Sequence, residues 1–354
     1  MKRFFTSAIK NTLTLIIVAA IGVGLIIYPK STAEGIKNGF LLLGNNLIPS
    51  LFPFMVLSSY ISQSTFAQTT SRLFEKPFKY FFKTSGYGVI AFILGCLGGY
   101  PIGAKTVCEF YENGKISQND AERLLYWCIN PSPAFLITAV GTFMLSETKS
   151  GLILYISCLL SSVTIGFFCR FLSDNEIFPV GTHLHKSKES IFVKSVSDGS
   201  AGMLSICGWV LTFCVLIALC DTLNLPYSIS HIIKSVGEVT TGCKNTISAG
   251  LSLPIIAAVS GFGGFAVICQ CASYASVCKL QIKFLLCSRI INSALSAIYC
   301  SAILRAFPQC ENVSIVITAG NASFTLYHSI SASIILIIMC VLLVLEVDNR
   351  KKIC

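Results

Sequence analysis

Two stretches place polar or charged side chains beside backbone that cannot stay helical. In Gly98-Gly99-Tyr100-Pro101-Ile102-Gly103-Ala104-Lys105, a lysine follows a run broken by glycine and proline. Gly261-Phe262-Gly263-Gly264, with Gln270 after it, repeats the pattern later in the chain. A break frees backbone N–H and C=O groups, and the half-helix N-termini beside it add positive potential. Lys105 there suits a small organic anion; equally, its long stem reaches a lipid headgroup. Asn130-Pro131-Ser132-Pro133 is a third break. Asn130 is either an ordinary helix cap or, with Ser132 and freed carbonyls, part of the lining of a site. Arg289 lies in an apolar run, where a charge marks a functional pathway unless Glu238 or a carbonyl pairs with it. Gln270 and the group Glu238, Thr240 and Thr241 are further polar candidates, with helix–helix hydrogen bonding and capping as the plainer readings.

No nucleophile elbow, zinc-protease pair or phosphate-binding loop occurs, so no enzymatic activity, cofactor or metal is expected. The 17 cysteines form no C-x-x-C, and those in apolar runs, such as Cys96, Cys158 and Cys214, behave as small hydrophobes. His183 and His185 sit in a polar loop and read as solvated.

The elements that must position these residues are membrane elements. Of 354 residues, 54% are hydrophobic and 12% charged, with a mean hydropathy of +0.75; soluble domains carry about 25% charged residues. The net charge of +10 is accounted for by short loops that orient the chain and meet anionic lipid, so no nucleic-acid partner is expected. Lipid cannot pair a broken backbone, so such breaks must be buried in protein or line a watery cavity. The expected fold is an all-α polytopic membrane protein of two repeats, each with a re-entrant helical hairpin and a broken helix. A retained N-terminal transmembrane helix within 1–30, rather than a signal peptide, precedes a first repeat over 36–172 with its hairpin at 86–127. A polar connecting loop spans 173–199, and a second repeat, inverted relative to the first, spans 200–306 with its hairpin at 247–274. A last transmembrane helix covers 323–346. Between the second span and the first hairpin, the basic, aromatic segment 72–83 fits a helix lying on the membrane surface.

The motifs G-G-Y-P-I-G-A-K (98–105), N-G-K-I-S-Q-N-D-A-E-R-L-L (113–125) and C-I-N-P-S-P-A-F (128–135) resemble sporulation integral membrane proteins of the YlbJ/SpoVV type. E-V-T-T-G (238–242), G-F-G-G (261–264), Gln270 and Arg289 are similar to that family's second repeat. The pattern departs at Ile129, Ser132 and Ile268, where Asn, Gly and a polar residue are expected. These proteins group with the nucleoside-recognition "Gate" domain membrane proteins, similar in plan to concentrative nucleoside transporters. The resemblance implies transport of dipicolinic acid from the mother cell across the outer forespore membrane of a spore-forming bacterium. Gly98, Gly99, Pro101, Gly103, Gly263 and Gly264 would then shape the tips, and Lys105, Asn130, Ser132, Gln270 and Arg289 would meet the dicarboxylate, arginine with its two-pronged fork. A nucleoside or nucleobase carrier and a non-transporting spore-envelope assembly protein are the alternatives. Proton coupling, sodium coupling and facilitated diffusion are all compatible with the sequence, as is self-association.

Overall fold

Among the described residues every regular element is a helix, the form in which a chain in lipid can satisfy its own backbone. The computed structural model describes residues 2–172, 190–223, 225–282 and 284–307. The expected last transmembrane helix at 323–346, the histidines at 183 and 185 and the connecting residues 173–189 lie outside the described residues.

Helix α1 (Lys2–Ile27) ends where Pro29 opens α2 (Pro29–Leu42). A π-helical stretch, Leu43–Leu47, leads into α3 (Ile48–Gln63), which contains Pro53. The basic, aromatic segment forms α4 (Thr65–Phe82), set at 86° to α5 (Tyr87–Gly98). Then come α6 (Tyr100–Glu112) and the short α7 (Gln118–Leu124), whose Ser117 cap accepts a hydrogen bond from the Asp120 N–H at 3.1 Å, as the S-x-x-D spacing predicts. A non-helical run through Asn130–Pro133 precedes a second π-helical stretch, Ala134–Met144. The long helices α8 (Thr148–Cys169) and α9 (Ile191–Asp221) follow, then α10 (Tyr227–Gly237), α11 (Val239–Ser248), α12 (Leu253–Phe262), α13 (Gly264–Val277) and α14 (Leu285–Ala306).

Among the described residues, four segments are long and apolar enough to cross a membrane: Thr148–Leu172, Ile191–Asp221, Leu253–Val277 and Leu285–Ala306. The number rises to six if two bent pairs, α2 with α3 and α4 with α5, each count as one. Small residues bring these helices together, as in other membrane bundles. A Cβ at Gly35 of α2 would lie 2.8 Å from the Val215 backbone of α9, and one at Gly199 of α9 would lie 2.8 Å from Val56 of α3.

The structure corrects two boundaries. Residues 191–199, expected in the connecting loop, form the first turns of α9, with one polar face turned to protein: Ser195 is fully buried and Asp198 half-buried, while Ser197 is exposed. The second hairpin, expected at 247–274, is not there. Residues 253–277 make a single 25-residue segment that breaks at Gly263-Gly264 without folding back. The antiparallel pair of the second half is α10 with α11, turning at Glu238. Its signature is a set of contacts symmetric about that residue: the Asn245 amide donates to the His231 carbonyl at 3.1 Å and to Ser235 Oγ at 3.2 Å, and Gly242 lies against Ser235. In the first half, α5 and α6 pair in the same way about Gly99, with Gly95 opposite Gly103.

Candidate functional site

Four backbone breaks converge in the interior. Gly99, between α5 and α6, has φ +105°, a region closed to most side chains. A Cβ added there would sit 3.5 Å from Ser132, so the first tip touches the Asn130–Pro133 break. The next residue, Tyr100, donates its hydroxyl to the Ser260 carbonyl at 2.6 Å, and its ring faces Gly263. Gly263 and Gly264 both have φ above +80°, and Gly264 packs against Glu238 and Val239 at the α10–α11 turn. Glu238, buried, accepts hydrogen bonds from the N–H groups of Thr240 (3.0 Å) and Thr241 (2.7 Å), so its carboxylate caps α11. The Thr240 hydroxyl is buried with no hydrogen-bond partner. Gly98 closes α5, and Pro101 occupies the first turn of α6, where a missing N–H costs nothing. Gly103 and Gly95 leave space for the Cys128 carbonyl oxygen, which a Cβ at either position would overlap.

Arg289 and Asn130 are engaged with the third break. Arg289, on α14 and fully buried, donates to the carbonyls of Ile129 and Tyr126, both at 2.6 Å, leaving only Nε without a partner. Those carbonyls belong to backbone that has left helical pairing, and a guanidinium fork is suited to hold two of them. Asn130 is equally committed: its amide donates to the Trp127 carbonyl at 3.0 Å, and its oxygen accepts from Ser162 on α8. Three rings, Phe78, Phe82 and Phe92, pack against Trp127 and fasten α4 and α5 to the same segment. Ser132 caps the π-helical stretch by accepting from the Phe135 N–H at 3.2 Å.

Lys105 has different company. Only 5% exposed, it donates to Ser59 Oγ at 2.9 Å and makes an ion pair with Glu109 one turn along α6. Ser59 and Ser62 of α3 both donate to Glu109, and Ser59 Oγ lies 3.5 Å from Asp198 Oδ2 of α9. Lys115, just beyond α6, donates to the Ser62 carbonyl. Opposite, Gly202 of α9 makes room for three side chains at once: a Cβ there would lie 2.4 to 3.6 Å from Met55, the Tyr274 hydroxyl and the Lys105 stem. The Tyr274 hydroxyl is buried without a hydrogen-bond partner, and buried Gln270 lies one turn earlier on the same face of α13.

The site residues expected from sequence thus fall into two groups. Lys105 lies in a charged cluster shared by α3, α6, α9 and α13, with Gln270 on the bordering helix. Arg289, Asn130, Ser132 and Glu238 serve the breaks themselves. Sequence reasoning missed Ser59, Ser62, Asp198 and Tyr274. The signal for Asp198 is present, an acid followed by Gly199 and Gly202 one helical face apart at the start of a long apolar run.

This arrangement defines the class: a polytopic, all-helical integral membrane protein with broken segments and buried charge in its interior. The chain is similar to "Sporulation integral membrane protein YlbJ" of Bacillus subtilis (strain 168), at 22% identity over 77% of this chain and 77% of that protein. No family model matches the chain, and no solved structure matches it.

Proposed function

We propose that this protein is a permease for a small organic anion, dipicolinate, moving it from the mother cell across the outer forespore membrane during sporulation. The observation that carries the reading is Lys105, an ammonium held inside the bundle by helices of both halves, close to breaks in the backbone. Buried cations in membrane segments are expensive and by default serve a pathway or ligand. In this reading Lys105 binds a carboxylate and Gln270 hydrogen-bonds the substrate, while Ser132 lies at the first tip. Arg289 and Asn130 hold the unwound segment that forms one wall. Likeness to a sporulation membrane protein supports the cellular setting.

The architecture proposed with it is two inverted repeats, each a re-entrant hairpin, a broken crossing and a long helix: α5–α6, 118–144 and α8, then α10–α11, α12–α13 and α14. Three crossings separate the starts of the two broken segments, an odd number, so the repeats would face opposite ways. Inverted repeats with broken helices meeting near the midplane are a recurrent transporter plan. A non-transporting role in spore-envelope assembly is the second reading. It is favoured by one observation, that Arg289 and Asn130 give their donors to backbone carbonyls as packing groups do.

Ligand-dependent stabilisation of the full chain in detergent tests the substrate. Dipicolinate at about 100 times its Kd is expected to add about 2.7 kcal/mol to the folded state. Stabilisation by nucleosides but not by dipicolinate would move the assignment to a nucleoside carrier, and stabilisation by neither would favour the assembly role.

A further inference from the structure

The Lys105 cluster has the elements of a switch as well as a binding site. Lys105 Nζ is paired to Glu109, so an incoming carboxylate must compete with a carboxylate already in place. Two acids, Glu109 and Asp198, lie around one serine hydroxyl, at 2.6 and 3.5 Å from Ser59 Oγ. An anion bound at Lys105 would set a second negative charge beside Glu109, and two like charges in one site favour proton uptake by one of them. We propose that Glu109 is a proton-binding site that couples anion binding to proton uptake. On taking a proton, Glu109 releases Lys105, whose ammonium then pairs with the substrate carboxylate. The deepening rests on the permease reading above.

The balance is simple. One proton adds to one Glu109 oxygen, Lys105 keeps its charge throughout, and the anion replaces the charge Glu109 has given up, so the interior gains no net charge from one carboxylate. The surroundings fit that exchange. On its own helix Glu109 has Lys105, Cys108 and Glu112 for neighbours, and Glu112 accepts from Cys278 of α13 at 3.3 Å. Lys115, in the loop after α6, reaches the Ser62 carbonyl and lies 5.6 Å from the Tyr87 ring centroid of α5. Helix α3 offers the Ser59 and Ser62 hydroxyls, α9 offers Asp198, and α13 offers Tyr274. The charge of α7 is turned elsewhere, Arg123 pairing with Asp120 and the Lys83 carbonyl. Tyr274, whose buried hydroxyl has no partner and borders the Lys105 stem across Gly202, is placed to donate to an arriving anion. Glu109 itself keeps 15% of its side chain exposed, a route by which a proton can reach it.

Calorimetry of pyridine-2,6-dicarboxylate binding to the purified full chain, in two buffers of different ionisation enthalpy, counts the protons taken up. The inference expects close to one proton per anion where Glu109 is ionised, and affinity falling about tenfold per pH unit as pH rises through that range, because a coupled proton is linked reciprocally to the ligand. Glu109→Gln, which imitates the protonated acid, is expected to bind with no proton uptake and little pH dependence. Binding by the native chain without proton uptake would overturn the inference and leave the permease reading standing. No binding at any pH between 5 and 8 would overturn both. The proton count needs no variant, so a poorly folded Glu109→Gln leaves the test intact.

Discussion

Arg289 and Lys105 are both buried cations, yet their partners predict opposite phenotypes. Arg289 is fastened to two carbonyls of non-helical backbone, and its loss strands them in an apolar interior. Arg289→Ala is therefore expected to cost about 2–6 kcal/mol, about 1–3 for each stranded carbonyl, read as a large fall in thermal stability of the detergent-solubilised protein. Arg289→Lys keeps the charge but not the fork, and is expected to lose about 1–3 kcal/mol. Lys105 can be removed more gently if its partner is neutralised with it. The variant Lys105→Gln/Glu109→Gln removes both members of the ion pair together, so its melting temperature is expected to stay near that of the native chain while anion binding is lost. A sequence shows that an arginine is buried but not what it faces, because the Ile129 and Tyr126 carbonyls are 160 and 163 positions away. The same distance in sequence hid Asp198, 139 positions from Ser59.

The first tip was legible because its composition leaves no other choice. Gly99 at φ +105° and Pro101 in the next turn can only open a new helix, and Gly95 and Gly103 let α6 lie against α5. The second half was misread for a physical reason. Gly263 and Gly264 break a helix, but adjacent glycines serve a step in a crossing as well as a reversal, and only the packing of α12 and α13 as one segment separates the two. The real reversal at Glu238 carries no proline, and its cue is the carboxylate that caps α11. Glycine substitutions rank these roles. Gly103→Ala forces a methyl into the Cys128 carbonyl and is expected to prevent normal folding, seen as loss of monodisperse protein on extraction. Gly114 has a positive φ, +63°, but a Cβ there meets nothing within 4 Å, so Gly114→Ala is expected to cost only about 1 kcal/mol of backbone strain.

For the whole molecule, membrane character and helical class follow directly from composition, whereas repeat orientation depends on parity, and parity on which breaks reverse the chain. Gln118 and Ser252, both exposed, stand at the starts of the two broken segments. Inverted repeats predict that Gln118→Cys and Ser252→Cys react with a membrane-impermeant maleimide from opposite faces, above the background of the native thiols. Labelling from one face would mean parallel repeats or a segment that does not cross. The central claim is transport, and its most direct test is uptake of labelled dipicolinate into liposomes holding the full chain, beside Lys105→Gln/Glu109→Gln. Saturable uptake by the native protein, absent from a double variant that melts at the same temperature, is the predicted result. Uptake no faster than into empty liposomes, from protein shown to be folded and inserted, would contradict the account.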